Sequence, residues 1–213
     1  MKIGVLGTGV VGETIASGLV AKGNEVKIGS REAAKAAEAA KKVGKGASGG
    51  TFADAAAFGE LVFNCTGGEV ALKALEAAGA KNLDGKTLVD VANPLDGSKG
   101  FPPVVTNAPG DSLAERIQKA FPKAKVVKTL NTVNTSVMIA PQKLAKGEHA
   151  MFLCGNDAGA KKQALGILES FGWKHVHDLG DLSGARGMEA YLGLWLRLMG
   201  VLKTPTFNVQ IVR

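Results

Sequence analysis

The chain has 213 residues, 46% hydrophobic and 21% charged, a composition that suits a globular protein with a sizeable core. The formal net charge is +7, yet aromatics make up only 5% and the lysines are dispersed, which excludes the clustered basic and aromatic surface of a nucleic-acid binder. No apolar run reaches the roughly 18 residues of a membrane span, and glycines interrupt MKIGVLGTG too early for a secretory signal, so a cytoplasmic protein is expected.

Strand and helix alternate along the chain. Residues 2–6 (KIGVL) predict a short buried strand. Residues 10–22 predict a helix with Val10, Val11, Ile15, Leu19 and Val20 apolar, closed by Gly23. Residues 25–29 (EVKIG) alternate as a second strand, and the alanine- and lysine-rich 31–42 favours a helix. Strands follow at 61–66 (LVFNCT) and 86–92 (KTLVDVA), with a helix at 69–78 between them that Gly79 stops. NPLDGSKGFPP predicts a turn-rich loop. Ser112 and Glu115 have capping-box spacing for a helix at 112–121. Further strands are predicted at 125–130, 149–154 and 174–179, with a helix at 157–171 ended by Gly172. The irregular 133–147 gives no clear pattern. A very apolar helix at 188–202 closes the chain, carrying Met188, Leu192, Leu194, Trp195, Leu196, Leu198 and Met199.

This alternation predicts a Rossmann-type α/β fold, a doubly wound and mostly parallel sheet with a small C-terminal helical part. Residues 1–180 would form the dinucleotide-binding domain. Residues 181–213 would form a helical segment serving as dimer contact or ligand roof, and homodimerisation is the expectation. Cys65 and Cys154 lie in apolar runs whose spacing fits neither a metal site nor a disulfide framework. They read as reduced structural thiols, and no metal site is expected.

The first strand runs into Gly7-Thr8-Gly9-Val10-Val11-Gly12. In this G-x-G-x-x-G loop Gly7 allows a tight turn, Gly9 lets backbone approach a pyrophosphate, and Gly12 lets helix and strand pack closely. The helix N-terminus then aims free N–H groups at the phosphates. About 20 residues beyond such glycines, an NAD site places an acidic residue to hold the ribose. Here the second strand ends in Gly29-Ser30-Arg31. Glu25 lies at the wrong end of that strand, and Glu32 falls in the next helix. Arg31 can hold a 2′-phosphate with two N–H groups, Ser30 can donate a further bond, and Lys35 is expected one helical turn on. The cofactor is therefore expected to be NADP(H), and part of the positive charge is expected to serve this polyanion.

In such sheets ligands bind beyond the carboxyl ends of the strands. Those ends carry Thr66-Gly67-Gly68, Asn93-Pro94-Leu95 and Asn131-Thr132-Val133. Asn93 and Asn131 could orient a nicotinamide carboxamide, with Thr132 as a third positioning candidate, while Gly67 and Gly68 leave room for the cofactor. Each asparagine is also an ordinary turn residue. No histidine or lysine stands at these ends to give a proton, and Tyr191 has no lysine four residues later. His149, His175 and His177 read as structural or exposed.

GVLGTGVVG, IGSR, VANPL, VVKTLNT and GARGMEAYLGLWLRL, spread over nearly the whole length, resemble the family of coenzyme F420-dependent NADP oxidoreductases. The resemblance implies contacts from Thr8, Gly9, Val10 and Val11 to pyrophosphate, and from Ser30, Arg31 and Lys35 to the 2′-phosphate. It also implies hydride transfer to a deazaflavin, chemistry that needs two rings held face to face rather than a strong acid or base. No catalytic residue in the strict sense is expected. Relatives usually carry a proline and an aromatic where this chain has Gly67-Gly68, which would remove an apolar wall. Reduction of ferric or quinone-type acceptors, and a non-catalytic NADP(H) sensor, are the alternative readings.

Overall fold

The computed structural model describes residues 1–212. Among these residues ten strands and nine α-helices follow one another in the order β1 Lys2–Leu6, α1 Val10–Ala21, β2 Glu25–Ser30, α2 Ala33–Val43, β3 Ala47–Thr51, α3 Phe52–Phe58, β4 Leu61–Asn64, α4 Ala71–Ala78, α5 Ala80–Leu83 and β5 Thr87–Asp90. After them come β6 Leu95–Asp96, β7 Val104–Val105, α6 Leu113–Ala120, β8 Lys125–Thr129, α7 Thr135–Met138, β9 Ala150–Gly155, α8 Ala158–Phe171, β10 His175–Asp178 and α9 Ala185–Leu202. Eight strands form one sheet in the order β10-β9-β8-β5-β4-β1-β2-β3. The six from β3 to β8 run parallel, so the doubly wound expectation holds. Strand order reverses between β1 and β4, which creates the crevice where dinucleotides bind in such sheets.

β9 pairs antiparallel with β8, and β10 runs with β9. The irregular 133–147 explains the reversal. It folds as α7 and two 3₁₀ turns, which carry the chain sideways so that β9 starts at the carboxyl end of β8. The loop at 93–103 contains β6, which pairs with β7 as a small hairpin.

Apolar residues fill both faces of the sheet, as expected for parallel strands covered by helices. On one face Ile3, Val5, Phe63 and Val127 pack with α1, α2, α7 and α8. On the other, Leu6, Val62, Leu88 and Val126 pack with α3, α4, α6 and the start of α9. Arg186 of α9 forms a two-pronged bond to Glu115 of α6, at 2.9 and 2.6 Å. Beyond α9 the chain turns back. Phe207 stacks on Trp195 at 5.2 Å, and Ala150 N donates to Val209 O at 2.8 Å.

β3 and α3 fall in a stretch that predicts no element. β3 reads ASGGT, without the β-branched or aromatic residues that mark strands. Its glycines allow close packing instead, since a Cβ on Gly49 would lie 2.3 Å from Ala37 N of α2.

Candidate functional site

The loop from β1 to α1 shows three different uses of glycine. Gly7 has φ +122°, and a Cβ there would meet Cys65 O at 2.7 Å. A Cβ on Gly12 would fall 2.2 Å from Gly7 O, so helix and loop are in backbone contact. Nothing lies within 4 Å of the Cβ position of Gly9, which faces open space. Gly9 is also the N-cap of α1 and makes no side-chain cap. The first N–H groups of α1, including those of Val10 and Val11, lack intrahelical partners. Thr8 is half-buried in the same loop and Val10 is exposed. Gly7 N donates to Gly29 O at 2.9 Å, joining this loop to the end of β2.

At that strand end Ser30 is the last residue of β2 and is buried, while Arg31 is exposed. Ser30 Oγ accepts from Glu32 N at 3.4 Å, which leaves its hydroxyl proton free to donate. Arg31 forms no ion pair among the described residues. Two details correct the sequence reading. α2 begins at Ala33 with Glu32 as its N-cap, so Arg31 lies outside the helix and does not share a helical face with Lys35. Lys35 is also engaged, donating to Glu32 at 2.7 Å. That bond holds the Glu32 carboxyl below its ordinary range. A ligand phosphate would have to share Lys35 with Glu32.

The three other strand ends meet at the carboxyl edge of β4, β5 and β8. Asn93 Nδ2 donates to Asn131 O at 2.9 Å, and Asn131 Nδ2 donates to Asn93 Oδ1 at 2.9 Å and to Met188 O of α9 at 3.0 Å. The two asparagines thus spend most of their amide groups on each other. Asn131 Oδ1 and the buried Thr132 Oγ1 have no partner among the described residues. Thr66 Oγ1 donates to Asn64 Oδ1 at 2.7 Å, and Pro94 O accepts from Thr106 N at 2.9 Å, seating the hairpin.

Gly67 is exposed, with only Val70 within 4 Å of its Cβ position. Gly68 corrects the expectation of spare room. A Cβ there would lie 2.1 Å from Asn93 O, so it is glycine because two strand-end loops touch.

A buried charge cluster beneath this edge escapes the sequence reading. Lys128 Nζ lies 2.7 Å from Asp90 and 2.8 Å from Glu189, and all three side chains are fully buried. Burial disfavours the charged amine, but the two carboxylates outweigh it and hold Lys128 above the ordinary lysine range. A signal existed. LVDV and VVKT are buried central strands, and a charge on each calls for a partner. Asp90 and Lys128 are direct neighbours in the β5–β8 register.

His149, His175 and the two cysteines fit structural roles. His149 is buried between Pro141 O, 2.9 Å from Nε2, and Asn208 Nδ2, 2.8 Å from Nδ1. His175 pairs with the exposed Glu148. Cys65 and Cys154 are buried and unbonded to one another, and burial pushes both thiols up. No group of three or more metal-ligating side chains occurs among the described residues, nor does a helix long and apolar enough to cross a membrane.

A strand-order crevice, an uncapped helix behind a glycine loop and a basic residue at the second strand end are the features of a Rossmann-type dinucleotide-binding fold. Residues 2–94 match the family model for NADP oxidoreductase, coenzyme F420-dependent. An F420-dependent NADP reductase of Methanocaldococcus jannaschii is 32% identical over 222 residues, spanning 99% of this chain and 98% of its own. The crystal structure of a candidate F420-dependent NADP reductase from Arthrobacter sp. FB24 superposes with TM-score 0.94 at 49% identity, over the full length of both chains. The metalloreductase STEAP3 of Rattus norvegicus is 29% identical over 96% of this chain but only 38% of its own length. The chain belongs to the coenzyme F420-dependent NADP oxidoreductase family, and it is an NADP-linked oxidoreductase.

Proposed function

We propose that this protein transfers a hydride between NADP(H) and a deazaflavin of the coenzyme F420 type. The observation that carries the reading is full-length similarity to an F420-dependent NADP reductase, joined to a cleft whose second strand ends in Ser30-Arg31 instead of a carboxylate. The loop of Gly7, Thr8, Gly9, Val10, Val11 and Gly12 seats the pyrophosphate at the positive end of α1. Ser30, Arg31 and Lys35 take the 2′-phosphate. The nicotinamide half then crosses toward Thr66, Gly67, Asn93, Pro94 and Asn131. When bound, the two rings supply the hydride exchange between nicotinamide C4 and deazaflavin C5.

The protein's work is to hold rings in contact and exclude water. That agrees with an edge built from amides, hydroxyls and glycines. Residues 181–213 act as a roof over the second ring or as the contact of a homodimer, since α9 keeps Leu194, Val201 and Leu202 exposed.

The test mixes protein, NADPH and oxidised deazaflavin and follows both absorbances. Coupled loss of the two bands is expected, and tight NADPH binding without loss of the deazaflavin band refutes this acceptor. Similarity to a metalloreductase supports a second reading, in which the chain passes reducing equivalents from NADPH to ferric or quinone-type acceptors. The same assay with those acceptors separates the two. Silence with every acceptor supports an NADP(H) sensor.

A further inference from the structure

Lys128, Asp90 and Glu189 use almost all of their hydrogen-bonding capacity. Besides the two carboxylates, Lys128 donates to Ala92 O. Asp90 accepts from Asn64 Nδ2 at 2.8 Å and Ala92 N at 3.3 Å. Glu189 accepts from Leu113 N at 2.7 Å and Ala114 N at 3.2 Å, in the first turn of α6, and from Asn107 Nδ2. Apolar side chains of equal volume often hold such elements together as well or better. An ionic cluster differs in fixing the direction of each group it bonds.

Glu189 anchors the cluster to the start of α6, and the bonds of Asp90 and Lys128 run to the strand-end loops. Ala92, gripped through both N–H and C=O, precedes Asn93. Asn64 accepts from Thr66 N at 3.3 Å and from Thr66 Oγ1. Glu189 follows Met188, whose carbonyl holds Asn131. The loops also touch one another, Gly68 against Asn93 and Asn93 against Asn131. One buried cluster therefore fixes three loops and the helix that closes over them.

We infer that Asp90, Lys128 and Glu189 are positioning residues for the nicotinamide end of NADP(H). They act through Ala92, Asn64 and Met188 and do not themselves touch the cofactor. The inference rests on the NADP(H) reading above. With the pyrophosphate at α1 and the 2′-phosphate at β2, the other half crosses the switch point to β4, β5 and β8. The adenosine half lies on parts of the fold the cluster does not reach.

The test is Glu189→Gln in the full chain, with Asp90→Asn as the second size-preserving variant. Dissociation constants are measured for NADPH and for 2′,5′-ADP, which lacks the nicotinamide half. Wild type should bind NADPH more tightly than the fragment. In both variants 2′,5′-ADP should bind as in wild type, while NADPH weakens by about fivefold to tenfold, the effect of roughly one net hydrogen bond. Parallel losses for both ligands, or unchanged NADPH binding in a folded variant, overturn the positioning role. Wild type that prefers the fragment, or binds both equally, overturns instead the placement of the nicotinamide half on which the role rests.

Discussion

At the scale of single residues, the glycine loop allows opposite outcomes from one chemical change. Gly12→Ala drives a methyl into Gly7 O, 2.2 Å away, and should lower the thermal midpoint by several degrees, as expected for about 1–3 kcal/mol of overpacking. Gly9→Ala meets nothing within 4 Å. Its melting temperature should stay near wild type while NADPH affinity falls, because the methyl takes the space proposed for the pyrophosphate. Calorimetry and a binding titration on both variants check the pair. At Arg31, replacement by Ala should weaken NADPH by about one to two orders of magnitude, the share of a charge-assisted hydrogen bond. NADH, without the 2′-phosphate, should lose little, and equal losses would remove Arg31 from cofactor selection.

At the scale of elements, caps show what the sequence makes legible. The full capping box is at Thr51, whose hydroxyl accepts from Asp54 N at 3.1 Å while Asp54 accepts from Thr51 N at 2.8 Å. Thr51→Ala should cost about 1 kcal/mol, read as a lower urea midpoint with an unchanged slope. The predicted box at Ser112 is only half formed. Ser112 Oγ accepts from Glu115 N at 3.2 Å, but Ser112 N donates to Asp111 and Glu115 turns to Arg186. A partner 71 residues away is invisible to a local pattern.

The same contrast runs through the site. The G-x-G-x-x-G loop and the Ser30-Arg31 strand end are contiguous, so both can be read from the sequence. The tie between Asn93 and Asn131 and the cluster of Asp90, Lys128 and Glu189 depend on which strands become neighbours. β3 was illegible for another reason: with ASGGT, its place in the sheet comes from α2 packing against it rather than from any strand propensity.

At the scale of the whole molecule, the connection from β8 to β9 is tied across to β10 by Glu148. Hydrogen bonds from Lys174 and then His175 lower the Glu148 carboxyl to about 2, from 4.5. A carboxyl with a lowered folded pKa contributes stability fully above its unfolded value. That contribution is lost as pH falls through the folded one. On the alkaline side, burial pushes the Cys154 thiol up to about 12, from 9.0. Its contribution is complete below pH 9.0 and erodes as pH rises toward 12. Thermal midpoints should therefore hold a plateau near neutrality and fall at both ends. Glu148→Gln should flatten the acid limb, and an unchanged limb would assign it to other carboxylates. The reversed direction of β9 also decides which edge of the sheet the segment after α9 meets. Met1 leads into β1 at the amino edge of the sheet, far from the crevice, while Asn208 and Val209 are fastened to the start of β9 at the crevice edge. A fluorophore or affinity handle on the first residue would leave cofactor traffic alone. The same handle beside Val209 would sit at the carboxyl edge of β8, where NADPH binding should change its emission if the cofactor reaches that edge.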